Sequence, residues 1–150
     1  MIGRTYKIET IKDWDKVEQV LLLFDMSFSR PLSERVGNLR DYAQKLAENA
    51  IIHTISIEDK TIGFIAYYCN DVLTKEAYIT QIAVVDHYKR LRIGNILLDL
   101  CVEMSKQKGM KKLVCEVDDE NFTALKFYKK YEFSNLRKAS NCSHYLVKII

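Results

Sequence analysis

The sequence predicts an α+β fold with a mixed central β-sheet flanked by helices. Apolar residues that alternate with polar ones predict several short strands, and apolar residues three and four positions apart predict helices between them. The elements follow in the order β-α-α-β-β-β-α-β-α-β-β. Because the 150 residues contain one proline and no repeat or low-complexity tract, we expect a single domain over residues 1–150.

The first half of the chain is predicted to form three strands and two helices. Apolar residues at helical spacing define the helices, and the lone proline with Gly37 predicts the loop between them. Asp59 and Lys60 predict the turn of a hairpin. In chain order, the predicted elements are strand Tyr6–Glu9, helix Ile11–Phe28, loop Ser29–Asn38, helix Leu39–Ala50, strand Ile51–Ile57 and strand Thr61–Cys69.

The second half is predicted to form four strands and two helices. Gly109 is a typical residue just after a helix C-terminus, and Asn121 or Asp119 is a typical N-cap for the last helix. In chain order, the predicted elements are strand Ala77–Val85, helix Asn95–Lys108, strand Leu113–Val117, a helix ending at Tyr131, and strands Phe133–Lys138 and His144–Ile149.

The composition indicates a cytoplasmic globular protein. Hydrophobic residues make up 48% and charged residues 29% of the chain, and the net charge of +3 is lower than nucleic-acid binders of this size usually carry. No apolar run reaches the roughly 20 residues that span a bilayer, and the N-terminus lacks the apolar core of a signal peptide. We therefore expect no nucleic-acid partner and no membrane association.

The cysteines and histidines do not indicate a metal site. Cys69, Cys101, Cys115 and Cys142 show no C-x-x-C spacing, and the three histidines are scattered along the chain. We interpret the cysteines as reduced thiols of a cytosolic protein. We expect no bound metal.

A basic turn between a strand and a helix predicts an anion-binding site. The apolar strand that ends at Val85 is followed by Lys89, Arg90 and Arg92 and then by the start of a helix near Gly94. The first amides of a helix have no partner inside the helix, and the helix dipole favours negative charge there. Glycine also lets a phosphate approach the backbone closely. The predicted ligand is a phosphorylated cofactor.

The basic turn resembles the pyrophosphate loop of the GNAT family, the Gcn5-related N-acetyltransferases. Neither G-x-x-x-x-G-K-[ST] nor G-x-G-x-x-G is present, which disfavours a P-loop or a Rossmann site. The GNAT loop reads [QR]-x-x-G-x-[GA], and the frame falls on Lys89-Arg90-Leu91-Arg92-Ile93-Gly94. The last glycine is present, whereas Lys89 stands for Gln or Arg and Arg92 stands for the first glycine.

A second segment is similar to another GNAT signature, N-x-x-A-x-x-F-Y-x-x-x-G-F. Glu132 replaces the glycine of this signature. The matching residues are Asn121, Ala124, Phe127, Tyr128 and Phe133. The resemblance covers about residues 60–150 well and the first 60 weakly. It implies a GNAT-like fold and an N-acetyltransferase with acetyl-CoA as co-substrate, whose pantetheine arm lies in a splay between the strands at 77–85 and 111–118.

The family resemblance also implies site residues. Tyr128 would protonate the departing thiolate, since a phenol with a pKa of about 10 stays protonated at neutral pH. Each role has a structural alternative: packing for Tyr128, an N-cap for Asn121, a buried strand for 82–84 and solvation for the basic side chains. The implied cofactor-binding residues are Ile82, Ala83, Val84, Lys89, Arg90, Leu91, Arg92, Ile93, Gly94, Asn95, Asn121 and Tyr128.

The general base is the point at which the sequence departs from the family. Many relatives carry a glutamate on the strand before the loop, where this chain has Thr80 and Gln81. Glu116 is our candidate base, and a surface carboxylate is its structural alternative. Asp118, Glu76 and Asp71 are further candidates, and a water relay or an amine of low pKa would remove the need for a strong base.

The predicted reaction is acetyl transfer to the primary amine of a small metabolite or amino sugar by direct attack on the thioester. Arg30 and Arg35 could hold an anionic acceptor, or their loop could be a plain connection. Alternatives are a lysine or N-terminal protein acetyltransferase, and a non-catalytic acyl-CoA-binding sensor. A small nucleic-acid-binding domain that uses the basic turn is disfavoured, because the strand tyrosines lie in apolar segments that predict a core. The apolar C-terminal strand allows a homodimer, and a buried closing strand explains it equally well.

Overall fold

The computed structural model describes residues 5–28 and 30–150, and the side chain of Arg90 lies outside this description. The predicted α+β class and order of elements are confirmed, with a short extra helix. The elements are β1 Tyr6–Ile11, α1 Trp14–Phe24, α2 Leu32–Val36, α3 Leu39–Asn49, β2 Ile51–Ile57, β3 Lys60–Tyr68, β4 Glu76–Val84, α4 Ile93–Gln107, β5 Lys112–Asp118, α5 Phe122–Lys130, β6 Ser134–Ser140 and β7 Ser143–Ile149.

The strands form a mixed sheet in the order β1-β2-β3-β4-β5-β7-β6. The pair β4–β5 is parallel, whereas β1–β2, β2–β3, β5–β7 and β6–β7 are antiparallel. The parallel register runs from Glu76 opposite Lys112 to Ile79 opposite Cys115. The splay expected beyond these pairs stays a prediction.

The chain divides into two compact units, and β4 contributes to both. The first unit comprises Met1–Tyr67 and Gln81–Cys101, and the second comprises Tyr68–Thr80 and Val102–Ile150. The expected single domain over residues 1–150 stays a prediction. Within the described ranges, no helix is both long and apolar enough to cross a membrane.

The core of the first unit contains a buried histidine. Phe24 of α1 packs against Phe64 of β3, with ring centroids 5.2 Å apart. His53 lies on β2, where Nδ1 is 2.9 Å from the Thr10 hydroxyl and Nε2 is 2.6 Å from the Tyr67 hydroxyl. Burial lowers the pKa of His53 to about 4, so the imidazole is neutral in the folded protein at pH 7.

The predicted helix Ile11–Phe28 was too long at both ends. Ile11 is the last residue of β1 and lies opposite Ile52, so strand pairing takes precedence over its helical spacing. Asp13, which precedes α1, has extended backbone angles. At the other end, Asp25–Ser27 form a 3₁₀ turn.

The predicted loop Ser29–Asn38 was wrong in part, because it contains α2. The Asp25 carboxylate accepts hydrogen bonds from the backbone amide of Ser33 at 2.7 Å and from its hydroxyl at 3.0 Å. Leu32 is fully buried. These tertiary contacts stabilise a five-residue helix that has no sequence period of its own. Ser29 lies outside the described residues.

The hairpin turn falls one residue earlier than predicted. Glu58 and Asp59 occupy the turn, with φ angles of 52° and 64°, and Lys60 already belongs to β3. Positive φ at both central residues is the geometry of the two-residue hairpins that match the twist of a sheet. The helix predicted from Asn95 also starts earlier, at Ile93.

Candidate active site

The basic turn, residues 86–95, reverses the chain between β4 and α4 in the first unit. Asp86–Leu91 form a 3₁₀ helix, and Arg92 then takes a left-handed conformation with φ 61° and ψ 28°. The amide of Ile96 donates to the Arg92 carbonyl at 3.1 Å. The amides of Ile93, Gly94 and Asn95 therefore precede the first α4 hydrogen bond, which is where a helix binds anions.

The charged side chains of the basic turn are not equivalent. Lys89 Nζ lies 2.8 Å from Asp86 Oδ1, and this hydrogen bond to Lys89 lowers the pKa of Asp86. Arg92 is exposed, whereas Ile93 is buried. The side chain of Arg90 lies outside the described residues. Arg92 is thus a better phosphate candidate than Lys89, which already has a carboxylate partner.

Near the end of β4, the backbone groups of alternate residues point to opposite edges of the strand. The amide of Val85 donates to the Ile62 carbonyl of β3 at 2.8 Å. A Cβ added at Gly63 would lie 3.2 Å from the Ala83 carbonyl oxygen, so that oxygen also faces β3. Because backbone groups alternate along a strand, Ile82 and Val84 direct theirs to the opposite edge. A pantetheine arm needs backbone groups that point away from β3. Of the three predicted contacts, Ile82 and Val84 have such groups, whereas the carbonyl of Ala83 points toward β3.

Tyr128 lies on α5 in the second unit and is buried to 5% exposure. Its hydroxyl forms a hydrogen bond with the thiol of Cys115 on β5. Burial raises the pKa of Cys115 to about 12, so this partner is a neutral thiol. Phe127 and Phe133 contact the Tyr128 ring edge-on, with centroids 5.2 and 5.0 Å away. The phenol is held rigidly beside a sulfur atom.

The end of α5 fixes Tyr128 through a left-handed turn. The amide of Glu132 donates to the Lys129 carbonyl, and that of Phe133 donates to the Tyr128 carbonyl, both at 3.0 Å. Glu132 has φ 71°. This bond pattern is a Schellman motif, in which the residue after the cap is usually glycine. The motif brings Phe133 against Tyr128.

Asn121 begins α5 and has a structural role. Its side-chain oxygen accepts a hydrogen bond from the Ala124 amide at 3.2 Å, which makes it the N-cap. Asp119, the other predicted cap, instead lies 2.6 Å from His144 Nδ1. The carboxamide nitrogen of Asn121 can still donate to a ligand.

Glu116 and Tyr128 belong to the same unit. The Glu116 side chain extends from one face of β5, and Tyr128 of α5 lies against the other face. Tyr128 bonds to Cys115, and the next residue along a strand points to the other face. The Glu116 carboxylate accepts a hydrogen bond from the Ser143 hydroxyl at 2.7 Å, and Ser143 Oγ lies 2.7 Å from Ser140 Oγ. This contact orients the carboxylate.

Sequence reasoning missed a polar cluster around Gln81 in the first unit. The Gln81 side chain accepts a hydrogen bond from Arg35 Nη2 at 3.2 Å and donates to the Tyr42 hydroxyl at 3.1 Å. The Arg35 guanidinium lies 5.0 Å from the Phe28 ring centroid. We call these four residues the Gln81 cluster. The strand period could have revealed it, because alternation places Gln81 on the buried face of β4, where an amide needs partners.

Residues 14–133 match the model of the acetyltransferase (GNAT) family. The match covers most of the chain and includes the basic turn, Glu116 and Tyr128. The chain therefore belongs to the GNAT family, and it is an N-acetyltransferase that uses acetyl-CoA.

Individual relatives agree with this family and differ in acceptor. A Bacillus subtilis strain 168 protein, provisionally named ribosomal protein bS18-alanine N-acetyltransferase, is 29% identical over 118 residues, which are 78% of this chain and 74% of the relative. The structure of the Escherichia coli ribosomal-protein-S18-alanine N-acetyltransferase has a TM-score of 0.77 at 17% identity, covering 97% of this chain and 94% of its own.

A third relative was solved with a ligand. It is a Bacillus anthracis strain Ames protein, provisionally named streptothricin acetyltransferase, in complex with acetyl coenzyme A. Its TM-score is 0.61 at 26% identity, with coverage of 68% of this chain and 63% of that chain. All three relatives are named as acetyltransferases, and their names give both protein and small-molecule acceptors.

Proposed function

We propose that the chain transfers the acetyl group of acetyl-CoA to the primary amine of a small metabolite or amino sugar, by direct attack on the thioester. The observation that carries the mechanism is the buried Tyr128 hydroxyl, which is hydrogen-bonded to the sulfur of Cys115. A buried phenol held in one orientation can give its proton to the thiolate that leaves when the thioester carbon–sulfur bond breaks.

The basic turn is proposed to bind the pyrophosphate of the cofactor. The amides of Ile93, Gly94 and Asn95 and the exposed Arg92 side chain supply hydrogen bonds and positive charge. The backbone groups of Ile82 and Val84 are proposed to pair with the pantetheine arm. A ligand held mainly by backbone groups tolerates sequence change, which is consistent with Arg92 in place of the family glycine.

Glu116 is proposed as the general base. The amine nitrogen attacks the thioester carbon, and the carbon–sulfur bond breaks as the amide bond forms. Tyr128 gives its proton to the CoA thiolate, and Glu116 takes the proton that the nitrogen loses. Because the nitrogen and the leaving sulfur are bonded to the same carbon, whereas the two residues lie against opposite faces of β5, Glu116 is proposed to take its proton through a water relay. Solvent restores both protonation states.

The acceptor class is supported by the Gln81 cluster. A few fixed polar groups beside an aromatic ring are the usual lining of a small-ligand site. Gln81 also occupies the strand at which many relatives carry a glutamate, and its neutral amide is suited to orienting an acceptor rather than accepting its proton.

The test combines binding with turnover. Calorimetric titration with acetyl-CoA and free CoA should give micromolar affinity, and ATP should not bind. Release of CoA thiol is then measured with small amines, including amino sugars. Glu116→Gln should lower kcat by about 100-fold without changing acetyl-CoA affinity, and Glu103→Gln, which removes the same charge from an exposed position of α4, is its matched control. Unchanged turnover in Glu116→Gln would remove Glu116 from the mechanism.

A protein acceptor is the second candidate, favoured by the name of the Bacillus subtilis relative. The assay is mass spectrometry of peptides that begin with alanine, compared with the same peptides blocked at the N-terminus and carrying an internal lysine. An acetyl group on the alanine amine at rates above those of all small amines would replace the small-acceptor proposal. Acetylation of lysine alone would indicate a lysine acetyltransferase.

A further inference from the structure

A chain of hydrogen bonds reaches Glu116 from the turn between β6 and β7 in the second unit. Ser143, the first residue of β7, lies opposite Asp118 of β5, and its hydroxyl donates to Glu116 Oε2 at 2.7 Å. Ser140 Oγ lies 2.7 Å from Ser143 Oγ, and the Cys142 amide donates to Ser140 Oγ at 3.2 Å. The chain thus joins the carboxylate proposed as the base to the backbone of a turn.

The direction of the hydrogen bonds along this chain follows from the groups that form it. A serine hydroxyl has one proton, and that of Ser143 is directed at the carboxylate, so Ser143 accepts from Ser140. The Ser140 oxygen in turn accepts from the Cys142 amide, which can only donate. All the donors therefore point toward Glu116, and successive hydrogen bonds in one direction polarise and strengthen one another.

The turn that begins the chain is itself attached to the segment after β5. The amide of Asp119 donates to the Cys142 carbonyl at 2.8 Å, and the Asp119 carboxylate lies 2.6 Å from His144 Nδ1. The chain is thus held at the residues on either side of Ser143, and Ser143 is only 1% exposed. These contacts leave the Ser143 hydroxyl little freedom to move.

Glu116 needs such an anchor if it is to act as a base. It occupies an exposed position of β5, and an exposed glutamate side chain samples many rotamers. A general base has to be held within hydrogen-bond reach of the proton that it accepts. A carboxylate has about four lone-pair sites. The bond from Ser143 uses one of them, so the carboxylate can still accept from the water that carries the amine proton.

We propose that Ser143 is a positioning residue for acetyl transfer, which holds the Glu116 carboxylate in the orientation that accepts the proton of the relay water. Ser140 and the Cys142 amide act through Ser143, because they fix the direction of its hydroxyl. The inference rests on the proposed role of Glu116 as the general base and adds the residue on which that role depends.

The test is a double-mutant cycle of Ser143→Ala and Glu116→Gln, with kcat measured by thiol release from acetyl-CoA. Glucosamine and a peptide that begins with alanine are the acceptor amines, and the faster of the two is used. Ser143→Ala should lower kcat by about tenfold, with the KM for acetyl-CoA unchanged. In the Glu116→Gln protein the same substitution should change kcat by less than about twofold, because the group that Ser143 positions is no longer a base.

Three further variants separate positioning from packing. Ser143→Thr keeps the hydroxyl and should retain most of kcat. Ser140 is exposed, and Ser140→Ala removes the donor to Ser143, so it should lower kcat by about threefold even if Ser143→Ala does not fold. The matched control is Ser105→Ala, since Ser105 is a fully buried serine of the same unit whose hydroxyl lies 3.4 Å from Cys69 Sγ. It should lower stability to urea and leave kcat unchanged.

The outcomes separate this inference from the proposed function. An unchanged kcat in Ser143→Ala beside a lower kcat in Glu116→Gln would overturn the role of Ser143 and leave Glu116 as the base. A tenfold loss that persists in the double variant, or equal losses in Ser143→Ala and Ser105→Ala, would do the same. An unchanged kcat in Glu116→Gln, or no turnover of either amine, would contradict the proposed function and overturn the inference with it.

Discussion

Arg92 in the first unit and Glu132 in the second both have a positive φ angle, in different surroundings. Their φ angles are 61° and 71°, in the left-handed region that favours glycine. Each residue stands where the GNAT signatures have a glycine. Arg92 precedes the first amides of α4, whereas Glu132 closes the Schellman motif that brings Phe133 against Tyr128.

The positive φ angle has a different consequence at each residue. At Arg92, the cationic side chain is exposed and directly precedes the amides proposed to bind pyrophosphate, so we expect its charge to contribute to ligand binding. At Glu132, the side chain is exposed and its carboxylate lies 3.8 Å from Lys148, a contact of little energetic value on the surface. The turn at Glu132 therefore matters for the position of Tyr128 and not for its own side chain.

The largest effect is expected at Tyr128, which the second unit holds in place. Tyr128→Phe removes the proton donor and keeps the aromatic packing, so kcat should fall by about 1,000-fold. Acetyl-CoA affinity and the midpoint of urea unfolding should change little. Steady-state kinetics and calorimetry check this, with Tyr131→Phe as the control. An unchanged kcat would mean that the leaving thiolate needs no acid from this residue.

Gly94→Glu tests cofactor binding at the basic turn of the first unit. A carboxylate at the start of α4 repels a phosphate and fills the space beside the amides, so acetyl-CoA affinity should fall by at least about 100-fold. Asp99→Asn, farther along α4, is the control for a change of charge. If Gly94→Glu binds acetyl-CoA as well as the parent while folded, the pyrophosphate lies elsewhere.

We expect the free energy of unfolding to fall in acid because of His53 in the first unit. Burial lowers its pKa from 6.5 to about 4, so between these pH values the unfolded chain takes up a proton that the folded protein resists. The contribution is fully present above pH 6.5 and is lost as pH falls to about 4, with a loss of about 2 kcal/mol. In the second unit the pKa of Cys115 is raised, so this thiol stays neutral throughout that range.

Urea unfolding at several pH values measures this dependence. His53→Gln has no titrating imidazole, so its free energy of unfolding should fall less between pH 7 and pH 4 than that of the parent. Parallel curves for the two proteins would show that His53 does not contribute to acid sensitivity.

Two substitutions of Asn121, at the start of α5, distinguish a capping role from a ligand-binding role. Asn121→Ala should destabilise the protein by about 1 kcal/mol, because the Ala124 amide loses its acceptor. Asn121→Asp keeps the acceptor and removes the carboxamide donor. If Asn121 also contacts the cofactor, Asn121→Asp should keep stability and weaken acetyl-CoA binding severalfold. Unchanged affinity in Asn121→Asp would leave only the cap.

The sequence predicted the features that are local along the chain. The strand, basic turn and α4, and the segment from Asn121 to Tyr128, are each continuous along the chain, so hydrophobic spacing and the resemblance to GNAT signatures locate them. The Gln81 cluster joins residues from α2, α3 and β4, and only tertiary packing brings these together. The helix α2 was missed for a related reason, because Asp25 and the burial of Leu32 stabilise it rather than any period of its own.

The smallest effects are expected for Arg92→Gly and Glu132→Gly, which compare the two left-handed residues directly. Each removes a side chain from a left-handed position and should stabilise the protein by about 0.5–1 kcal/mol, after allowing for the greater freedom of glycine in the unfolded chain. Urea unfolding measures both.

The two variants should differ in cofactor binding. Arg92→Gly should weaken acetyl-CoA binding by about threefold at low salt, and the loss should shrink at high salt because an exposed charge is screened. Glu132→Gly should leave affinity and kcat unchanged, since the Schellman bonds that hold Phe133 and Tyr128 are made by the backbone. Equal affinities in both variants would mean that Arg92, like Glu132, only turns the chain. A fall in kcat in Glu132→Gly would mean that its side chain, and not only its backbone, positions Tyr128.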